Sequence, residues 1–453
     1  MLNLLRAGDS DAAAELLIDY VEQAWMRVRD AARTLEDLAL LDIRKIDVVA
    51  RREATTEEGT TEPRRELPPP ELSPHWSAAH ARWCAEALRH AGRFDEARES
   101  AQKARKIFFN LGDETAEAHT LRLLAHILSE QGAQAEAHKL VSRALTVFDR
   151  HDDDAGRASC EVVLGEIDYL VGNHVAARDA LHRGARRFQK VGDALGRAQC
   201  LLLLGMIALA EGVMVKSRDL LVAARAEFDG IGYRLGCCQC DIALSHVDHR
   251  AGEFEAARAR ALKTRDALAV LQNPRANGAV ERVLAMVALD ASSTSDVETG
   301  GWGPNEAAVR HAQAALELFK RLGDPWGITE AKLLLAQEAL VRGAVAEAEP
   351  LVAKCEELAV SEPEPMQHRA LTRAWLHVAR GEIDLAMIAL GEARRAFSDP
   401  RRNGDHTPML LQRFVAMGWP EPIAAAVREW VDSLGASRSV AVAAMPPRDD
   451  EAS

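Results

Sequence analysis

Several kinds of residue and segment are scarce or missing in this chain. Aromatic residues make up only 5% of its 453 residues, and no apolar run approaches the ~18 residues that a membrane span needs. No signal-peptide core opens the chain, and its seven cysteines are odd in number and lack paired spacing, which favours a reducing compartment. These absences favour a cytoplasmic protein and argue against a membrane as its partner.

Positive charge is also in short supply. The 56 Lys and Arg residues are outnumbered by 69 Asp and Glu residues, which gives a formal net charge of -13. Nucleic acids and anionic membranes are bound by clustered Lys and Arg. We therefore expect neither of them to be the main partner.

The short motifs that mark common catalytic sites are missing too. The sequence has no Gly-x-x-x-x-Gly-Lys-Ser/Thr phosphate loop, no His-Glu-x-x-His, no Gly-x-Ser-x-Gly and no protein-kinase signature set. We therefore expect no catalytic residue and no bound cofactor.

Glycine, in contrast, recurs at a fixed period. Five glycines are spaced by forty residues: Gly92, Gly132, Gly172, Gly212 and Gly252. Small residues stand seven places before them, at Ala85, Ala125, Gly165, Gly205 and Ser245, and five places after them, at Ala97, Ala137, Ala177, Ser217 and Ala257. Sixteen places after the glycines come Phe108, Phe148, Phe188, Phe228 and Leu268. Self-similarity of this kind predicts a solenoid of stacked units.

The pattern within each unit predicts a helical hairpin. Apolar residues on both sides of the glycine keep the three- and four-residue spacing of one helical face. The glycine ends the first helix in a turn that needs a permissive backbone, and the small residues let the two helices approach closely. A second turn, as at Gly192-Asp193, ends the second helix and offers an aspartate to cap the next one.

One group of residues has the composition of a metal site. Cys237, Cys238 and Cys240, followed by His246 and His249, are ligand types that suit zinc. The repeat favours another interpretation, because cysteine occupies one repeat position three times in succession, at Cys160, Cys200 and Cys240. We interpret these cysteines as small apolar core residues and expect no metal.

The repeat unit resembles the tetratricopeptide repeat. Leu164-Gly165, Gly172, Ala177 and Phe188 follow the Leu-Gly, Gly, Ala, Phe order of that family, although its usual period is about 34 residues. The forty-residue period is similar to the long-repeat class found in cell-polarity adaptors and in the regulatory tails of bacterial ATP-dependent transcription activators and serine/threonine kinases. The resemblance implies an all-α fold, an α-solenoid with a right-handed superhelix of about eight tetratricopeptide-like hairpins.

The register of the repeats divides the chain into segments. We expect N-terminal helices of a partial repeat at 1–52, a linker rich in Pro, Glu and Thr at 53–75, the repeat array at 76–400 with an insertion at 292–302, a capping hairpin at 401–435 and a disordered tail at 436–453. Whether the N-terminal part is an atypical first repeat or the continuation of a larger kinase-type or ATPase-type regulator stays open.

The resemblance also implies a binding groove. In tetratricopeptide arrays the first helix of each hairpin lines the concave face, and the groove positions fall thirteen, ten, six and three residues before each glycine. The candidate partner-binding residues at these positions are Arg82, Arg89, His119, Arg122, His126, Tyr169, Gln199, Met206, Leu209, Gln239, His246 and His249. A basic start followed by an apolar middle would suit a protein or peptide with acidic and apolar side chains. The alternative, that these are ordinary packing or solvated residues, stays open.

Two classes of function follow from the resemblance. The leading one is a protein-interaction scaffold or sensor module that binds a peptide or partner helix in the groove, as part of a bacterial signalling or transcription regulatory system. The alternative is a receptor for a peptide or small ligand, of the pheromone-sensor type, whose superhelix changes shape on binding. The oligomeric state stays open.

Overall fold

The computed structural model describes residues 74–90, 92–271, 273–295, 305–357, 363–397 and 420–430. Within these ranges the regular structure is helical and contains no strand. The helices expected at 1–52, the linker up to residue 73 and the tail at 436–453 lie outside the described residues. The insertion expected at 292–302 is described only to Ser295, and the capping hairpin at 401–435 only at 420–430, of which 421–430 are helical.

The helices alternate between the first and the second helix of a hairpin. The first helices are α1 (Pro74–His90), α3 (Glu114–Glu130), α5 (Asp154–Leu170), α7 (Ala194–Ala210), α9 (Arg234–Arg250), α11 (Pro274–Ser295), α13 (Pro325–Val341) and α15 (Pro363–Ala379). The second helices are α2 (Phe94–Leu111), α4 (Gln134–Arg150), α6 (His174–Val191), α8 (Met214–Gly230), α10 (Phe254–Leu271), α12 (Glu306–Leu322), α14 (Val345–Glu356) and α16 (Ile383–Phe397). The eight hairpins of the described residues confirm the predicted all-α solenoid.

The turns that the structure describes inside hairpins have the backbone conformation that the glycine period predicts. The angle φ is +76° at Gly92, +83° at Gly132 and +80° at Gly172, and it is still +71° at Gly381, near the other end of the array. Residues with a side chain rarely adopt this left-handed conformation, so glycine fits the turn without strain. The period read from the sequence is therefore the spacing of these turns.

The small residues lie where the two helices of a hairpin touch. Ala177 is fully buried. A Cβ atom added to Gly165 would lie 3.3 Å from the carbonyl oxygen of Ala177 and 2.6 Å from Cγ of Leu181. In the next hairpin the hydroxyl of Ser217 donates a hydrogen bond to the carbonyl oxygen of Gly205 at 2.8 Å. These contacts confirm that the two small positions of the repeat face each other.

Where a second helix ends in a phenylalanine, as in α4, α6, α8 and α12, the ring packs on the start of the next hairpin. Phe148 and Phe228 are completely buried, and a Cβ atom added to Gly236 would lie 2.6 Å from the Phe228 ring. Asp153 caps α5 by accepting a hydrogen bond from the backbone N–H of Gly156 at 2.8 Å. The glycine in the first turn of the next hairpin, such as Gly156, thus donates its backbone N–H to the capping aspartate. It also leaves room for the phenylalanine ring, because it has no side chain.

The first helices lie on the inner side of the superhelix. Each first helix packs on the first helix of the next hairpin, from α1 on α3 to α13 on α15. The large apolar side chains that stay exposed lie instead mostly on second helices, as at Phe109, Val215 and Val270. Because elements on the inside of a curve come closer together, these contacts place the first helices on the concave side. We call the space that they surround the channel.

The curvature brings hairpins together that are far apart in sequence. Arg275, at the start of α11, binds Glu130 at the end of α3 with Nη1 and Oε1 3.2 Å apart. Its guanidinium group also lies 5.2 Å from the ring centre of Phe94, at the start of α2. The side chain of Leu322, at the end of α12, fills the space that a Cβ atom on Gly92 would need. The first two hairpins therefore contact the sixth.

None of the helices in the described ranges combines the length and the apolar character needed to cross a membrane.

Candidate functional site

The channel wall carries many buried polar and charged side chains. Arg89, His249, Arg282 and Glu330 are each less than one tenth exposed, and all lie on first helices. Buried charged residues are unusual in a fold that is held together by apolar packing, so they are more informative than the apolar core.

The N-terminal part of the wall is a network of opposite charges. Arg89 binds Glu86 at 3.0 Å on its own helix and Glu130 at 3.2 Å on the next first helix. Burial alone would lower the pKa of Arg89, but Glu130 and Glu86 raise it above its ordinary value. Arg89, a predicted groove residue, therefore has its charge compensated within the protein by Glu130 and Glu86.

A second group of cationic side chains lies beside this network. His119 is close enough to Arg82 and Arg122 for their charges to act on it, and its ring centre lies 4.7 Å from that of Phe148. Burial first, and then the two arginines, lower the pKa of His119 to about 3. The Nε atom of Arg122 is buried without a hydrogen-bond partner, and no ion pair joins this guanidinium group to the described residues. Arg122 therefore remains an uncompensated positive charge at the channel wall.

Histidine and carboxylate groups join α3 to α5. Nε2 of His126 lies 2.9 Å from Oε2 of Glu166. Burial would raise the pKa of Glu166, but His126 and, more weakly, Arg89 and Arg275 lower it overall. His126, at a predicted groove position, thus faces a carboxylate in the equivalent position of the next repeat.

The middle of the wall is apolar and more tightly packed than the sequence predicts. Leu209 is only 7% exposed and belongs to a core cluster of α7 to α11, against which the half-buried Met206 packs. Gln199 is half-buried and Gln239 is exposed. Tyr169 stacks on the ring of His174 with 5.9 Å between their centres. Leu209 is a packing residue, whereas Met206, Gln199 and Gln239 retain accessible surface.

The far part of the wall is again polar. Arg282 donates to Nε2 of His246 at 3.2 Å, lies over the Trp326 ring at 4.7 Å and approaches Glu330 at 3.7 Å. Glu330 also binds His368 at 3.0 Å. Burial, followed by Arg282 and Arg250, lowers the pKa of His246 well below its ordinary value, so His246 is the neutral acceptor of this contact.

The last predicted groove residue, His249, is a buried member of the same region. Its Nε2 atom lies 2.6 Å from Oδ2 of Asp290 on α11. This pair, like the contact between His246 and Arg282, joins α9 to α11. His249 holds two first helices together and has little surface for a partner.

The structure adds residues that the repeat pattern missed. Glu166 stands six places and Glu330 thirteen places before a repeat glycine, so the groove positions carried a signal for both. Glu130 and Asp290 stand at other positions, and their role depends on which side chain of the neighbouring helix reaches them. Nothing in the repeat pattern marks Arg275 as a contact residue, because its contact with Glu130 depends on the curvature accumulated over the hairpins between them.

The cysteines lie in the core at equivalent places. Cys160, Cys200 and Cys240 are completely buried, and burial raises the pKa of Cys160 and of Cys200 to about 12. Thiols with such a pKa stay protonated and unreactive at neutral pH. In the described ranges, no group of three or more His, Cys, Asp or Glu residues is placed to hold a metal ion.

A family model matches part of the repeat array. Residues 77–150, which span most of the first two hairpins, match the tetratricopeptide repeat family model. The later hairpins continue the same architecture and turn geometry. The family-model match confirms the resemblance to tetratricopeptide repeats over residues 77–150. No curated protein matches it significantly in sequence.

Solved structures with similar folds belong to Rap proteins. The chain resembles a Rap protein complexed with competence and sporulation factor, with 12% identity and a TM-score of 0.60 over 81% of this chain and 98% of that one. It also resembles the Rap conjugation gene regulator of the plasmid pLS20, in complex with a Phr peptide, with 12% identity and a TM-score of 0.50 over 81% of this chain and 96% of that one. At such identities the likeness shows the fold.

Proposed function

We propose that this protein is an interaction scaffold that binds a peptide or a partner helix in its channel, without catalysing a reaction. Repeat solenoids use their extended concave surfaces for binding. The observation that carries the proposal is that the first helices present polar and apolar side chains with accessible surface, among them Arg122, Gln199 and Met206, beside a wall of buried charged groups. The Rap structures of similar fold hold a factor or a peptide, which supports a channel ligand.

The accessible groups of the wall define the partner that fits best. Arg122 offers a guanidinium group with no compensating carboxylate in the described ranges, and a carboxylate of the partner would supply one. Met206 offers an apolar, adaptable side chain farther along the channel. A segment with acidic and apolar side chains therefore matches the wall. Among the predicted groove residues we assign contact with the partner to Arg122, His126, Gln199, Met206 and Gln239.

The setting that we propose is a bacterial signalling or transcription regulatory system in the cytoplasm. This follows from the resemblance to the long-repeat class, whose members report on partners for kinases and transcription activators. A pull-down from native lysate would supply the partner with which the variants below are measured.

The electrostatic part of the proposal is tested by Arg122→Ala. We expect this variant to bind the captured partner more weakly than the parent, and to lose less affinity than the parent when salt is added. The reason is that salt screens charge pairs over ~10 Å at 0.1 M ionic strength and over shorter distances at higher salt. Isothermal titration at several salt concentrations measures both effects. The matched control is Arg143→Ala, which removes an exposed arginine from the outer helix α4.

The apolar part is tested by Met206→Ser. We expect weaker binding with an unchanged salt dependence, because an apolar contact is lost and no charge is altered. The control is Val215→Ser, since Val215 is 76% exposed on the outer helix α8. If the outer variants weaken binding while Arg122→Ala and Met206→Ser leave it intact, the partner binds the convex surface and the channel proposal is wrong.

The second candidate is a ligand receptor whose superhelix changes shape. The contact between the first two hairpins and the sixth favours it, because a ligand that broke or strengthened this contact would change the shape of the superhelix. A receptor gains thermal stability when its ligand is added, whereas a scaffold for folded partners changes little with short peptides. Thermal unfolding in the presence of a peptide library distinguishes the two.

A further inference from the structure

One contact in this solenoid does not belong to the stacking of neighbouring repeats. Arg275 and Glu130 are 145 positions apart in the sequence, and their side chains form a hydrogen bond of 3.2 Å. Gly92 and Leu322, which also touch, are separated by the greater part of six hairpins. In a solenoid each repeat normally contacts only its neighbours. We call the group Gly92, Phe94, Glu130, Arg275 and Leu322 the clasp.

The clasp combines three kinds of interaction at one place. The guanidinium group of Arg275 pairs with Glu130, covers the Phe94 ring at 5.2 Å and lies 4.0 Å from Oδ2 of Asp324. Arginine suits this arrangement because its planar group can stack on a ring and bind carboxylates at its edge. Leu322 adds an apolar contact over Gly92, where any side chain would obstruct it.

Glu130 connects the clasp to the channel wall. Its Oε1 atom lies 3.2 Å from Arg275 and 3.2 Å from Arg89, which also binds Glu86. Burial would raise the pKa of Glu130, but Arg89, Arg275 and His126 lower it overall. A rearrangement of the wall at Arg89 therefore changes the carboxylate on which Arg275 depends.

We propose that the clasp holds one turn of the superhelix closed and opens as a unit, so that the shape of the whole molecule is governed by a contact between its first two hairpins and its sixth. Only a small part of the protein surface is involved, and Arg275 is 39% exposed, so the closed form is held by a modest free energy. The open and closed forms are then close enough in free energy for a bound partner to select between them. This last consequence rests on the proposed function, whereas the closure itself does not.

The test uses the full chain without a partner. We expect Arg275→Ala, and more strongly Arg275→Ala combined with Leu322→Ala, to increase the radius of gyration and the maximum dimension measured by small-angle X-ray scattering. The far-UV circular dichroism should stay that of the parent, because each hairpin keeps its own neighbours. High salt should expand the parent toward the dimensions of Arg275→Ala and change that variant less, because the Debye length falls from ~10 Å at 0.1 M to ~3 Å at 1 M.

The matched control is Lys320→Ala, which breaks the exposed pair between Lys320 and Glu317 near the end of α12. It should leave the scattering curve unchanged. Arg275→Lys tests the geometry, because lysine keeps the charge but cannot stack and bind two carboxylates in one plane; we expect partial expansion. If the double variant is folded and has the dimensions of the parent, neighbour stacking alone fixes the superhelix and the clasp proposal is wrong. Because no partner is present, that outcome leaves the channel proposal to its own tests.

Discussion

Asp152 occupies a turn position at which other repeats have glycine. Among the described residues other than glycine, Asp152 is the one with positive φ, at +53°. It stands in the turn between hairpins where other repeats have glycine, as at Gly192 and Gly232. Its carboxylate binds Arg157 at 2.8 Å, but this contact is largely exposed and contributes little. The backbone at Asp152 is therefore strained without a large compensation.

We predict that Asp152→Gly is more stable than Asp152→Ala by roughly 1–2 kcal/mol, the cost of the left-handed conformation for a residue with a Cβ atom. Both substitutions remove the contact with Arg157, so the difference between their free energies of unfolding measures the cost of the left-handed backbone conformation. Urea unfolding of the two variants measures it. Equal midpoints would show that the turn relaxes and that the positive φ carries no strain.

His119 gives a prediction about acid stability. Burial and the nearby Arg82 and Arg122 lower the pKa of His119 to about 3, whereas an unfolded histidine titrates near 6.5. Between these values the unfolded chain binds a proton that the folded chain does not, so the free energy of unfolding falls as the pH falls. We predict that His119→Gln loses less stability than the parent between pH 7.5 and pH 5, measured by urea unfolding.

The control for this measurement is His138→Gln, because His138 is exposed on the outer helix α4. It should follow the pH dependence of the parent. A parent and a His119→Gln variant with the same loss of stability would mean that His119 becomes charged in the folded protein without cost.

At the scale of the helix pair, the close approach of the two helices in a hairpin depends on very small side chains. Ala177 is completely buried, and its carbonyl oxygen lies 3.3 Å from the place of a Cβ atom on Gly165. We predict that Ala177→Leu overpacks this hairpin and lowers the free energy of unfolding by about 1–3 kcal/mol. Thermal and urea unfolding measure the loss, with Ala176→Leu, one position away and only half-buried, as the control. Equal losses in the two variants would contradict the close approach.

The hairpins could be predicted from the sequence because their determinants are local and repeated. Gly172, Ala177 and Phe188 each have a fixed distance from the turn, and the structure uses each as the spacing implies. The wall chemistry was predicted less well. Arg89 has the position of a groove residue, but its charge is compensated by Glu130, and this pairing depends on which side chains meet across two helices. A repeat pattern fixes positions, whereas ion pairs depend on three-dimensional proximity.

At the scale of the whole molecule, the clasp adds contacts with a distant hairpin to the first described hairpin. Local opening of a hairpin needs more free energy when additional contacts must be broken. We predict that Arg275→Ala speeds amide hydrogen exchange in α1 and α2, because the contacts of Phe94 and Gly92 with the sixth hairpin weaken. Exchange in α7 and α8, which have neighbours on both sides, serves as the internal control. Unchanged exchange in α1 and α2 would mean that the clasp does not support them.

The contact between Arg275 and Phe94 also bears on how such a chain can evolve. Open solenoids tolerate the gain or loss of a unit, because each unit needs only its neighbours. Between α2 and α11 this chain has no such freedom: one hairpin more or fewer would rotate Arg275 away from Glu130 and leave Leu322 without Gly92. Duplication and deletion, the ordinary route by which repeat arrays change length, would thus leave the clasp intact from α13 onward and break it within the closed turn. The clasp therefore requires a fixed number of hairpins between Glu130 and Arg275.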